Sequence, residues 1–186
     1  MYKVIIHGRG GQGAKTMAML LAEAIIESGK FAQAFPEYGP ERTGAPVRAY
    51  VRMSNNQILT KEPVSKPDLV IMLDDSLLEN REVIETLRDN PILIVNTNKE
   101  EEDIVEVILR RINYDGKLYL IDALEFIEGE KGVHFSAAIF GKLIKITEMI
   151  SLEDFKKVYK NKFEEKLGPE IMAKTMNVID RGYDSL

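Results

Sequence analysis

The segment His7-Gly8-Arg9-Gly10-Gly11-Gln12-Gly13-Ala14-Lys15-Thr16 carries the strongest chemical signal in this 186-residue chain. Gly8, Gly10 and Gly13 fit GxGxxG, directly after a strand-like run and at the start of a helix-like one. That is the setting in which the pattern binds phosphate. Glycines permit positive φ and bring backbone amides close to an anion. A helix N-terminus adds unsatisfied N–H groups and a partial positive charge. Arg9 and Lys15 supply point charges. A lysine in a first helical turn is disfavoured by about 0.3–1 kcal/mol, which a bound phosphate offsets. Two familiar uses fit imperfectly. A Walker loop requires GxxxxGK[ST], and Ala14 intervenes before Lys15-Thr16, turning the lysine by about 100°. An NAD site requires an acid at the end of the second strand, and Glu37 stands near that place but behind Pro36. The plain alternative is a glycine loop that only packs strand against helix.

A second chemical segment is Phe35-Pro36-Glu37-Tyr38-Gly39-Pro40-Glu41-Arg42-Thr43-Gly44-Ala45-Pro46. Three prolines and two glycines between Pro36 and Pro46 exclude regular structure. The prolines stiffen the loop and hold Tyr38, Glu41 and Arg42 in place. Joining strand two to strand three, the loop is expected beside the glycine turn, at the carboxyl end of the sheet where α/β ligands bind. The candidate binding set is therefore Gly8, Arg9, Gly10, Gly11, Gln12, Gly13 and Lys15, with Tyr38, Glu41, Arg42, Thr43 and Gly44. A stiff surface turn, or one that docks on another subunit, is the alternative. His7 reads as a hydrogen-bonded structural histidine, His134 has no assigned role, and Asp74-Asp75 reads as a helix cap.

The elements that must position these residues alternate. Lys3 to His7 is a buried strand, Met17 to Ile25 a helix closed by Gly29, and Phe31 to Phe35 a second strand, a β-α-β unit with parallel strands. Val47 to Met53 alternates like a half-exposed strand, with Gln57 to Thr60 as its expected hairpin partner. Asp68 to Leu73 and Ile92 to Val95 are central strands. Asp74-Asp75-Ser76 is expected to start a helix reaching about Asn90. A helix over Glu101 to Ile112, a strand over Leu118 to Ile121, and helices over Ala137 to Met149, from Ser151, and from Pro169 complete the chain. The expected fold is an α/β, Rossmann-like, doubly wound, mostly parallel sheet with helices on both faces and a helical C-terminal extension, in one domain over residues 1–186.

Lys and Arg total 25 and Asp and Glu 30, a formal net charge of −5, and there is no cysteine. The acidity argues against a general nucleic-acid or anionic-membrane surface. The missing thiols exclude disulfides, zinc–thiolate sites, a cysteine nucleophile and iron–sulfur ligation. The two histidines have no metal-ligand spacing. The aliphatic runs fall short of the roughly 20 residues of a membrane span, and no signal peptide is visible, so a cytoplasmic chain is expected. Any redox centre belongs to a cofactor or another chain.

The two glycine-bearing segments, in this order, resemble the gamma subunits of pyruvate:ferredoxin oxidoreductases (pyruvate synthases). More broadly, they are similar to the gamma domain of 2-oxoacid:acceptor oxidoreductases. The resemblance extends through Val95-Asn96-Thr97-Asn98-Lys99, Ile121-Asp122-Ala123 and Arg181-Gly182-Tyr183. It departs where Val133-His134-Phe135-Ser136-Ala137-Ala138-Ile139-Phe140-Gly141 stands in place of the family's Asn-x-x-Met-Leu-Gly segment. The resemblance implies a heteromeric enzyme that oxidatively decarboxylates pyruvate to acetyl-CoA and CO2 and reduces ferredoxin. It implies alpha, beta and delta partner subunits that carry thiamine diphosphate, magnesium and 4Fe-4S clusters. This chain has no cluster ligand and no thiamine signature, so its implied part is the coenzyme A side of the site and assembly. The residues alone also admit a stand-alone NAD(P)- or flavin-dependent reductase, or a non-enzymatic nucleotide-binding scaffold.

Overall fold

A computed structural model describes residues 1–37, 44–60 and 62–185 of the chain. In chain order the elements are β1 (Tyr2–Arg9), α1 (Ala14–Glu27), β2 (Phe31–Pro36), β3 (Pro46–Ser54), β4 (Leu69–Met72), α2 (Arg81–Glu85), β5 (Ile92–Asn96), α3 (Glu101–Leu109), β6 (Leu118–Ile121), α4 (Ser136–Thr147) and α5 (Leu152–Asp184). The strands form one six-stranded sheet in the order β2-β3-β1-β4-β5-β6. β1, β4, β5 and β6 pair in parallel, so the sheet is mostly parallel as expected.

The exception is β3, which lies antiparallel to both β1 and β2. β1 and β2 thus run in the same direction, as the β-α-β reading requires, but β3 is inserted between them. That insertion explains two differences from the sequence expectations. Residues 57–60 form no strand, because both edges of β3 are already paired. Instead Gln33 and Arg52 donate from their side chains to the carbonyls of Ile58 and Glu62, pinning the connection across the sheet. Nor is β3 half-exposed: Ala49 to Arg52 are all buried, since both faces are covered.

Strand periodicity divides the core. One face presents Val4, Ile6, Val51, Ile71 and Ile94 to α1, α4 and α5. The other presents Ile5, Tyr50, Val70, Met72 and Val95 to Leu77, Leu78, α2 and α3. The expected long helix after Asp74 is broken. A 3-10 turn over Asp75–Glu79 ends at Asn80, whose extended backbone and side-chain acceptor restart the chain as α2 by bonding the amides of Glu82 and Val83. The last helix is kinked at Gly168 (φ 73°), immediately before Pro169, so the two expected helices meet at that residue.

The α4–α5 crossing depends on two glycines. A Cβ on Gly182 would lie 2.2 Å from the Ala138 carbonyl oxygen, and one on Gly141 would lie 2.1 Å from that of Ile179. The backbones touch, which fixes how deeply α5 seats Phe155, Val178 and Ile179 in the core. At an open helical site Gly→Ala gains about 1 kcal/mol. Here the sign reverses: Gly182→Ala is expected to destabilise the chain by about 1–3 kcal/mol through overpacking. Urea unfolding of the two proteins checks this, and an unchanged or raised midpoint would contradict the close crossing.

Candidate functional site

β1 delivers His7, Gly8 and Arg9 to the carboxyl edge of the sheet, and the chain then turns tightly into α1. Gly11 (φ 97°) and Gly13 (φ 87°) hold left-handed backbone that suits glycine. Gly8 has a different reason: a Cβ there would press on Leu73 at 3.1 Å. The turn is zipped to the chain entering β3, with Gly10 N–H donating to the Ala45 carbonyl (2.8 Å) and Gly44 N–H to the Gly10 carbonyl (3.2 Å). Gly44, itself at φ 84°, is thereby brought against the glycine turn.

Arg9 and Gln12 are engaged inside the chain. Arg9 donates from Nε to Asp74 (3.2 Å), from Nη1 to the Gly44 carbonyl (3.1 Å) and from Nη2 to Ser76 Oγ (2.6 Å). Gln12 accepts from the Arg9 amide (2.7 Å) and donates to the same Asp74 oxygen (2.9 Å). Both side chains brace the turn. Asp74 does cap the following 3-10 turn, accepting from the Ser76 amide at 3.1 Å, and it is also the anion on which Arg9 and Gln12 converge. Burial pushes its carboxyl up, but hydrogen bonds from Ser76 and Gln12 and the Arg9 charge outweigh this and hold it below the ordinary range.

What the turn leaves open is the start of α1. Gly13 caps the helix without a side-chain bond, and no acid stands in the first turn. Among the described residues, the amides of Gly11, Gly13, Ala14 and Thr16 find no backbone acceptor. They border a cleft of about 450 Å³ lined by Arg9, Gly10, Gly11, Gly13, Ala14, Lys15 and Thr16 on one side and by Pro36, Glu37, Val47 and Arg48 on the other. Lys15 is exposed at this cleft. Sequence reasoning missed Arg48, whose signal is its strand register opposite His7. Arg48 pairs with Glu37 (2.7 Å) and Glu82 (2.9 Å), and Tyr50 donates its hydroxyl to Glu37. Burial, reinforced by that bond, raises the Tyr50 phenol to about 12.

A second cavity of about 290 Å³ lies on the other side of the same turn and shares Gly11, Gly13 and Thr16 with the first. Its rim includes His134, which had no role from sequence. The imidazole edge lies 3.5 Å from where a Gly13 Cβ would be. His7, in contrast, is structural: it is buried, bonded to Thr86 Oγ1 at 3.1 Å, and kept neutral because burial pushes its pKa down to about 3. Gly8 to Gly13, Lys15 and Gly44 are therefore assembled together. Tyr38, Glu41, Arg42 and Thr43 lie outside the described residues.

The family model described as pyruvate ferredoxin/flavodoxin oxidoreductase matches residues 3–185. The chain is 35% identical over 187 residues to the pyruvate synthase subunit PorC of Thermotoga maritima, covering 100% of this chain and 94% of that protein. It is 40% identical over 169 residues to the pyruvate/ketoisovalerate oxidoreductases common subunit gamma of Pyrococcus furiosus, covering 90% of each. The crystal structure of the Thermotoga maritima pyruvate oxidoreductase subunit superposes with a TM-score of 0.81 at 34% identity, over 98% of this chain and 95% of that one. A solved 2-oxoglutarate:ferredoxin oxidoreductase from Magnetococcus marinus, with 2-oxoglutarate, coenzyme A and succinyl-CoA bound, shares the fold. Its TM-score is 0.76 at 20% identity, over 100% of this chain and 31% of that one.

The brace is testable apart from any ligand. Asp74→Asn keeps the shape and removes the charge, and is expected to cost about 1–2 kcal/mol at pH 7. Since the folded-state carboxyl lies below its unfolded value, its stabilisation is complete above about pH 4 and is lost as pH falls through the folded value. The gap between parent and variant in urea should therefore shrink on acidification below pH 4. A gap independent of pH would contradict the ionic brace.

Proposed function

The chain belongs to the pyruvate ferredoxin/flavodoxin oxidoreductase family, and from that premise we propose that it serves as the gamma subunit of a heteromeric 2-oxoacid:ferredoxin oxidoreductase. The reaction is the oxidative decarboxylation of pyruvate, with acetyl transfer to coenzyme A, release of CO2 and delivery of the electrons to ferredoxin. Thiamine diphosphate, magnesium and 4Fe-4S clusters sit on alpha, beta and delta partners, and the assembly works in the cytoplasm. With no cysteine in its sequence, this chain holds no thiolate-ligated cluster, and alone it is inactive. Among the described residues no helix is long and apolar enough to cross a membrane.

Its own chemical contribution is to bind coenzyme A. The observation that carries this is the N-terminus of α1, where amides that find no backbone acceptor among the described residues border a cleft beside Lys15. A diphosphate suits such a cradle: it accepts several N–H bonds and offsets the cost of a lysine against the helix dipole. Arg9 and Gln12 keep the cradle in shape. Gly8 permits close packing, and Gly10 and Gly44 join the turn to β3. Tyr38, Glu41, Arg42 and Thr43 belong to the proposed coenzyme site on the strength of the family motif. A stand-alone dinucleotide reductase is not favoured, because β3 separates β1 from β2 and Glu37 is engaged by Arg48 and Tyr50.

The test is kinetic, in the assembled enzyme. Lys15→Gln is expected to raise the KM for coenzyme A about tenfold, the worth of one charge-assisted phosphate contact. The KM for pyruvate and kcat at saturating coenzyme A should be unchanged. An equal KM for coenzyme A in both enzymes would overturn the assignment, as would pyruvate decarboxylation by the isolated chain.

A further inference from the structure

The sheet is open on both sides, and β2 is the outer strand beyond β3. Antiparallel neighbours alternate between residues that exchange N–H···O bonds and residues that do not. The Glu37 amide donates to the Arg48 carbonyl at 3.0 Å, so in the β2–β3 register the odd residues of β2 make the bonds. The N–H and C=O groups of Ala32 and Ala34 therefore point outward, and among the described residues no backbone group outside the sheet pairs with them. Strand edges are usually blunted by a lysine, a bulge or a covering segment. Residues 31–36 carry no charged side chain, and their pairing with β3 runs without a bulge. Large apolar side chains gather at this edge instead. Phe31, at the start of β2, is exposed, as are Met19 and Ile26, two turns apart on α1, which packs on β2. Leu59 is exposed as well, and it follows Ile58, whose carbonyl accepts from Gln33.

We propose that β2 pairs antiparallel with β2 of a second copy of this chain, about a two-fold axis at Gln33. The strand's own sequence selects this occupant. Phe31-Ala32-Gln33-Ala34-Phe35 reads the same in both directions. Antiparallel pairing centred on Gln33 sets Phe31 opposite Phe35 of the second copy, Ala32 opposite Ala34, and Gln33 opposite its own counterpart. In that register the outward amides of Ala32 and Ala34 each meet an outward carbonyl. The neighbouring registers set Lys30 or Pro36 against the alanines. Pro36 has no N–H, and the Lys30 amide already bonds the Ile25 carbonyl. The aromatic pairs lie on the face that carries Ile58 and Leu59, where Phe–Phe cross-strand contacts are favourable. On the other face the small alanines leave room for the α1 flanks bearing Met19 and Ile26. Lys30 of one copy comes beside Glu37 of the other, so unlike charges meet at both ends of the pair. The pairing is independent of any ligand at the glycine turn.

Sedimentation of the full chain at micromolar concentration should show two copies per particle. Ala34→Pro deletes an outward N–H and leaves the bonds to β3 in place, and edge strands tolerate proline. That variant should sediment as a single chain. Phe31→Lys changes an exposed side chain and should weaken association about tenfold, since it sets a charge against an aromatic ring at both ends of the pair. Because the chain has no cysteine, Gln33→Cys introduces its only thiol. Facing residues that exchange no hydrogen bonds have Cα atoms about 4.5 Å apart, within disulfide reach. Mild oxidation should therefore link two chains carrying Gln33→Cys. Phe31→Cys alone, which faces Phe35, should stay unlinked. A parent that sediments as one chain would overturn the proposal. So would a dimer that Ala34→Pro leaves intact, or one in which Phe31→Cys links and Gln33→Cys does not. If Ala34→Pro fails to fold, the cross-link decides. A parent that is single alone, with Gln33→Cys linking to a different subunit in the assembled enzyme, would give this edge to that subunit and overturn the second-copy assignment.

Discussion

The Asp74 carboxylate is the point to which the functional edge of this molecule is tied. One oxygen receives Arg9 Nε and Gln12 Nε2 from the turn after β1, and the other receives the Ser76 amide from the turn after β4. A three-glycine turn has little conformational preference of its own, so its shape must be imposed from outside. The imposition is ionic on one side and backbone pairing with Gly44 and Ala45 on the other. Three acceptors engage Arg9, so its guanidinium is committed to the brace, and the partial positive charge at the edge comes from the start of α1. Cysteine-free and braced in this way, the chain is suited to holding a substrate for chemistry done elsewhere.

The same edge continues beyond β4 by the same means. Asn96, at the end of β5, donates to the Leu73 carbonyl and accepts the Ala123 amide, welding three strand ends together. Thr97 and Lys99 both bond Asp75. On the opposite side, α5 is anchored by glycine-mediated contact with α4, and its C-terminal carbonyl at Ser185 is capped by the buried Lys142. Burial lowers the pKa of that ammonium. The kink at Gly168 then directs Lys166 and Leu167 to the second cavity. Two rigid supports thus flank one turn, and each supports a different cavity.

Much of this was legible in the chain. GxGxxG between a strand and a helix fixed the position of the turn, and the continuous apolar runs at Leu69 and Ile92 marked buried parallel strands. Gly29, Ser151 and Pro169 mark helix ends that the structure retains. What local pattern missed was non-local. Nothing near Val47 tells that β3 inserts antiparallel between β1 and β2, because strand order depends on pairing across the sheet. For the same reason residues 57–60 looked like a hairpin partner. Arg9 read as a ligand-facing cation because its actual partners are 35 to 67 residues away. Asp74 read only as a cap because the capping bond is local and the brace is not. His134 drew no role because its neighbour Gly13 lies across the fold.

As proposed, this subunit contributes substrate binding to a reaction whose electron carriers lie on other chains. Amide hydrogen exchange of the assembled enzyme, with and without coenzyme A, addresses it most directly. Coenzyme A should slow exchange at the amides from Gly11 to Thr16, while amides of β5 and α3 on the far side of the sheet remain as they were. Unaltered exchange from Gly11 to Thr16, with protection confined to the partner chains, would contradict the account.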